Sequence, residues 1–146
     1  MKRGYLSEHF EGVAAKRLSA VEADETRSNQ HEYNVTKAML DFMGRPTGKV
    51  RLPARYLYLC DQEEKIISED AFLTLYDSRA GHPNRSEYRF YFPTTRISQL
   101  AAEGDLLVIA KCRDGRILVI IAENGSSITN QIEWRRSQDA SATWFE

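Results

Sequence analysis

The stretch Gly104-Asp105-Leu106-Leu107-Val108-Ile109-Ala110-Lys111-Cys112-Arg113-Asp114-Gly115-Arg116-Ile117-Leu118-Val119-Ile120-Ile121-Ala122 decides the reading of the fold. Two nearly unbroken apolar runs flank Asp114-Gly115, a favoured pair for a tight hairpin turn. Both runs are therefore expected to be core strands. Working outward, residues 71–76 are β-prone, and 87–92 alternate charged or polar with aromatic side chains until Pro93. The segment between them, 77–86, contains Gly81 and Pro83 and reads as a loop, giving a long hairpin with a basic connecting arm. Residues 49–52 and 55–59 read as two further strands on either side of Pro53. Helices are expected at 34–44, with Asn34 as cap and Gly44 as terminator, and from Ser127 through Ile128, Ile132 and Trp134. Short helices are expected near 5–9 and 97–101. The class is α+β, mainly β, and closely spaced strands joined by hairpins favour a barrel over a parallel sheet.

The 146 residues carry 20 Lys and Arg against 21 Asp and Glu, a net charge of −1, which argues against holding nucleic acid by bulk attraction alone. The length suits a single domain over 1–146 with a working core, and no apolar run approaches the ~20 residues of a membrane helix. Met1-Lys2-Arg3-Gly4-Tyr5-Leu6-Ser7-Glu8 is not an export signal, and Cys60 and Cys112 are too few for a disulfide framework. A cytoplasmic protein with two reduced, buried thiols and no membrane contact is expected. The neutral total conceals segregation. Residues 61–70 hold five acids and one base, 49–55 three bases and no acid, and 76–96 four arginines against Asp77 and Glu87.

Most catalytic chemistry finds no footing. His9, His31 and His82 are too scattered for a zinc site, and nucleophile elbows and dinucleotide glycine patterns are absent. Gly44-Arg45-Pro46-Thr47-Gly48-Lys49 is too short for a phosphate loop and is interrupted by Pro46. Glu63-Glu64-Lys65 has the Glu-x-Lys form of magnesium-dependent nucleases, with Asp41 as a second carboxylate, but sits in an acid-rich stretch that reads as a solvated loop. Asn34-Val35-Thr36 and Asn124-Gly125-Ser126 match the glycosylation triplet, which carries little weight without an export signal.

Two polar, basic segments are more informative. The first runs from Lys16-Arg17-Leu18-Ser19-Ala20 through Glu22, Asp24, Arg27, Ser28, Asn29 and Gln30 to His31. The second runs from Ser78-Arg79 through Asn84, Arg85 and Ser86 to Glu87-Tyr88-Arg89. Arginine can pair with guanine, Asn or Gln with adenine, and a carboxylate can accept from the cytosine amino group. A carboxylate among arginines weakens a purely electrostatic grip and makes sense as a base reader. The competing account is that Arg85, Glu87 and Arg89 form surface ion pairs across a hairpin, the commoner fate of such residues. Two other classes stay open. One is a small magnesium-dependent nuclease using Asp41, Glu63 and Lys65. The other is a protein-interaction module docking through 88–92.

The order of these residues (Lys16-Arg17-Leu18-Ser19-Ala20, the polar stretch to His31, Tyr76-Asp77-Ser78-Arg79, then Asn84-Arg85-Ser86-Glu87-Tyr88-Arg89) resembles the N-terminal effector domain of EcoRII-type restriction endonucleases. The likeness runs roughly from Phe10 to Trp134. It implies a DNA-binding pseudobarrel of about seven strands with a few short helices, related to the plant B-three-type domain. It also implies sequence-specific binding of double-stranded DNA in the major groove, between an N-arm at about 16–33 and a C-arm at about 77–89. Lys16, Arg17, Arg27, Asn29 and His31 then fall on the N-arm. Arg79, Asn84, Arg85, Ser86, Glu87, Tyr88 and Arg89 fall on the C-arm. Ser86, Tyr88 and the acidic Glu22, Asp24 and Glu25 depart from the family pattern. The resemblance makes this chain a non-catalytic recognition domain of a bacterial or archaeal enzyme. The nuclease domain, absent here, would follow it, and magnesium enters only with that domain.

Overall fold

A computed structural model describes residues 9–24 and 31–138, the last five of these as helix backbone alone. Seven strands form one curled, half-barrel sheet: β1 (Phe10–Arg17), β2 (Glu32–Asn34), β3 (Val50–Leu59), β4 (Ile67–Asp77), β5 (Tyr88–Tyr91), β6 (Leu106–Cys112) and β7 (Ile117–Ala122). Four helices lie within the described residues: α1 (Ala20–Ala23), α2 (Lys37–Met43), α3 (Arg96–Leu100) and α4 (Ser127–Gln138). The strand order is β1-β6-β7-β3-β4-β5-β2, antiparallel throughout except for the parallel β3–β7 pair. No helix among the described residues is long and apolar enough to cross a membrane.

The β6–β7 hairpin is buried on both faces, which explains its continuous apolar runs. Leu107, Ile109, Val119 and Ile121 face the main core with Tyr56, Leu73 and Phe90, while Leu106, Val108 and Ala110 form a second cluster under Ile128 and Ile132 of α4. Elsewhere burial alternates cleanly. Ala54, Tyr56 and Tyr58 of β3 and Leu73 and Leu75 of β4 point inward, leaving Arg51, Pro53 and Arg55 outside. Cys60 and Cys112 are buried and unbridged.

Several sequence expectations need correction. Residues 50–59 form one strand, not two. Pro53 lies just before the β7 pairing begins at Ala54, so β3 is still an edge strand there and tolerates a residue without an N–H. The acid-rich stretch is only half a loop: Glu63–Lys65 make a 3-10 turn, and β4 already starts at Ile67. Asn34 ends β2, and Thr36 caps α2 instead by accepting from Met39 N–H. Ser126 caps α4 through Thr129 N–H, while the N–H and hydroxyl of Ser127 both donate to Asp61. The helix expected near 5–9 lies almost wholly outside the described residues.

Strand β1 can lie under α2 because residue 12 is glycine. A Cβ there would sit 2.3–2.5 Å from the Phe42 side chain. Gly12→Ala is expected to cost about 1–3 kcal/mol through overpacking, and adding Phe42→Leu should recover part of it. Thermal unfolding of the single and double variants checks this, and an unchanged melting temperature for the alanine variant would refute it.

Candidate nucleic-acid interface

The C-arm is organised at its base by one side chain. Asp77 Oδ1 accepts from the backbone N–H groups of Arg79 (2.9 Å) and Glu87 (2.8 Å), closing the loop where β4 ends. Ser78 adds two bonds to the Glu87 carbonyl, from its N–H and from its hydroxyl, each 2.8 Å. These contacts hold the Glu87 carboxylate between two guanidinium groups, Arg79 at 3.0 Å on one oxygen and Arg89 at 3.0 Å on the other. Asn84, Arg85 and Ser86 are exposed on the arm. Tyr88 is turned the other way, packing on the core with its hydroxyl donating to Pro46 O at 3.4 Å.

The N-arm candidates are dispersed. Lys16 and Arg17 end β1, at the opposite edge of the sheet from β2 and β5. Lys16 pairs with the buried Glu22 at 2.7 Å. Arg17 donates to Gly104 O (3.1 Å), Asn124 Oδ1 (3.3 Å) and Glu133 Oε1 (3.2 Å). Arg27 and Asn29 lie outside the described residues. His31 adopts a left-handed backbone (φ 51°), its ring stacks on Phe92, and Thr94 Oγ1 lies 3.3 Å from its Nδ1. Of the twelve candidates, then, Arg79, Glu87 and Arg89 form one cluster.

The antiparallel β2–β5 pair sets where the arms attach. Phe92 N–H donates to His31 O at one end, and Val35 N–H to Tyr88 O at the other. From Tyr88 to Phe92 is four residues, about 13 Å at ~3.3 Å each, close to the ~12 Å width of the major groove. Between these ends, on the outer face, stand Glu32, Arg89, Tyr91 and Tyr76, with Arg51 and Lys49 beyond them. The acid-rich 3-10 turn adjoins the start of β4, ten residues or about 33 Å from Asp77. It does not underlie the C-arm.

Sequence reasoning missed Glu32 and Tyr76. The Tyr76 hydroxyl donates to Glu32 Oε2, joining β2 to β4 across β5. Arg89 also feels Glu32, and its buried Nε has no partner among the described residues. The available signal was alternation: Glu32 and Asn34 share a face, as do Tyr76 and Thr74. Comparison with known families and with characterised proteins returns no match.

Two carboxylates on this face shift in opposite directions. Burial holds Glu32 above the ordinary carboxylate value, opposed by Arg89 and Lys49. The Arg79 hydrogen bond and the Arg89 charge hold Glu87 below it. Acidification is expected to protonate Glu32 first. The contribution of Glu87 to stability is complete above its ordinary value of 4.5 and is lost as pH falls through its depressed value. For Glu32 the sign reverses, and its contribution diminishes as pH rises through the raised value. A carboxyl-carbon NMR titration reports the order, and Glu87 titrating first would contradict it.

The nuclease candidates sit on separate elements. Asp41 on α2 pairs with Lys37 (3.5 Å) and Arg45 (3.8 Å), while Glu63, Glu64 and Lys65 are exposed on the 3-10 turn. No group of three His, Cys, Asp or Glu placed to hold a metal occurs among the described residues.

Proposed function

We propose that this chain binds double-stranded DNA sequence-specifically in the major groove, as the effector or target-recognition domain of a type II restriction endonuclease. In this reading the sheet and helices make a DNA-binding pseudobarrel. Cutting belongs to a nuclease domain fused after this one, working with magnesium in a bacterial or archaeal cytoplasm. One observation carries the proposal: two polar segments join a rigid strand pair at opposite ends, about a groove width apart, and one presents a carboxylate flanked by two arginines. Rigid strands fix the spacing while the loops are free to vary, a division suited to recognition.

Exposed Phe72 and Tyr91 are what a protein-docking role would use. Arg51 already covers the first ring, which favours a polyanion. Selection from a random duplex library tests the proposal. Enrichment of one sequence, bound with a steep salt dependence, is expected. Recovery of random sequence would overturn it, and magnesium-dependent cleavage by the purified chain would replace it with the enzyme reading.

A further inference from the structure

Cations already met by a carboxylate have little left for a phosphate. Among the described residues Arg55 is met by Asp70 at 3.0 Å, Arg96 by Glu69 at 3.4 Å, and Arg79 and Arg89 by Glu87. Lys49 and Arg51 make no such pair, and both are exposed. Each lies over a ring of β4, Arg51 Cζ 3.8 Å from the Phe72 centroid and Lys49 Nζ 5.1 Å from that of Tyr76. A ring orients a cation without cancelling its charge. Glu32 feels the Lys49 charge, yet its carboxylate accepts from Tyr76.

Register adds position to charge. Arg51 stands opposite Thr74, so Lys49 reaches the level of Tyr76, next to Asp77 where the C-arm begins. Arg85, exposed on that arm, also has no acidic partner among the described residues. Two un-neutralised cations, Lys49 and Arg51, therefore stand at the C-arm end of β4, away from the acid-rich turn, and Arg85 adds a third on the arm itself. Alternate residues on a strand stand ~6.7 Å apart, about two steps of the 3.4 Å charge spacing along one DNA strand.

We propose that Lys49 and Arg51 form a second, sequence-independent contact on the outer face of β3, for backbone phosphates of duplex DNA flanking the segment held between the arms. The proposal rests on the DNA-binding reading above. Its test is the Lys49→Gln/Arg51→Gln double variant, measured on the selected duplex and on a scrambled duplex of equal length across a salt series. The same fold-loss is expected on both duplexes, with the salt slope smaller by about 0.9 per lost contact, about 1.8 for the pair, and base preference unchanged. Lys49→Arg should keep the wild-type slope. Arg55→Gln, whose charge Asp70 already meets, should stay close to it. If Arg51→Gln disturbs the sheet, Lys49→Gln alone should still show half of the slope change. An unchanged slope overturns the proposal and leaves the arms standing, whereas a wild-type chain that binds no duplex overturns both. A loss confined to the selected duplex, or an equal loss on phosphatidylserine vesicles, also overturns it.

Discussion

Glu22→Ala is expected to lower the unfolding free energy by about 3–5 kcal/mol, the usual cost of breaking a buried ion pair from one side. Glu22 is only 4% exposed, and every polar reach of its carboxylate ends on the chain. Oε2 takes Lys16 Nζ at 2.7 Å from β1 and Asn34 N–H at 2.8 Å from β2, while Oε1 takes Ser19 N–H at 2.9 Å in the α1 capping box. Because β1 and β2 are the two free edges of the curled sheet, this one carboxylate ties the open seam. For a chain this long the loss should lower the melting temperature by roughly 10–15 °C. The double variant Lys16→Met/Glu22→Leu should recover some of it, since apolar pairs often replace buried ionic ones at little cost. Recovery stays incomplete because two backbone N–H groups lose their acceptor. A melting temperature within about a degree of wild type would remove the seam role.

The second large effect is on recognition. Glu87→Ala is expected to reduce discrimination between the selected and a scrambled duplex by roughly ten-fold or more, the scale of one base contact. Affinity for the scrambled duplex should meanwhile rise, and its salt dependence steepen, because Arg79 and Arg89 lose the carboxylate that now neutralises them. A fall in affinity for the selected duplex alongside that rise is expected, and the opposite signs separate base reading from general electrostatics. If discrimination survives intact while non-specific affinity rises, Glu87 is no base reader and only restrains its two neighbours.

How far the sequence carried these conclusions differs by element. The β6–β7 hairpin was legible because both its faces are buried and Asp114-Gly115 leaves little choice of turn. β1 was not. Gly12, Ala14 and Ala15 give weak strand signals, and what places them is packing against β6 and α2. Pro53 divided a strand that tertiary pairing keeps whole. At the site, the C-arm stood out through Gly81 and Pro83, and the ion pairs of Glu87 had been weighed as one of its two possible roles. Glu22 was read as an acidic departure on the N-arm, although Ser19-Ala20-Val21-Glu22 has the Ser-x-x-Glu spacing of a capping box. Its burial depends on Lys16 and Asn34, contacts across the seam that no local pattern encodes.

The attachment of the arms at opposite ends of the β2–β5 pair has a consequence for symmetry. No two-fold axis relates the segment entering at His31 to the one leaving toward Tyr88. A duplex lodged between them would meet unlike tools from its two sides, so a single copy would read the halves of a palindrome differently and bind in one preferred polarity.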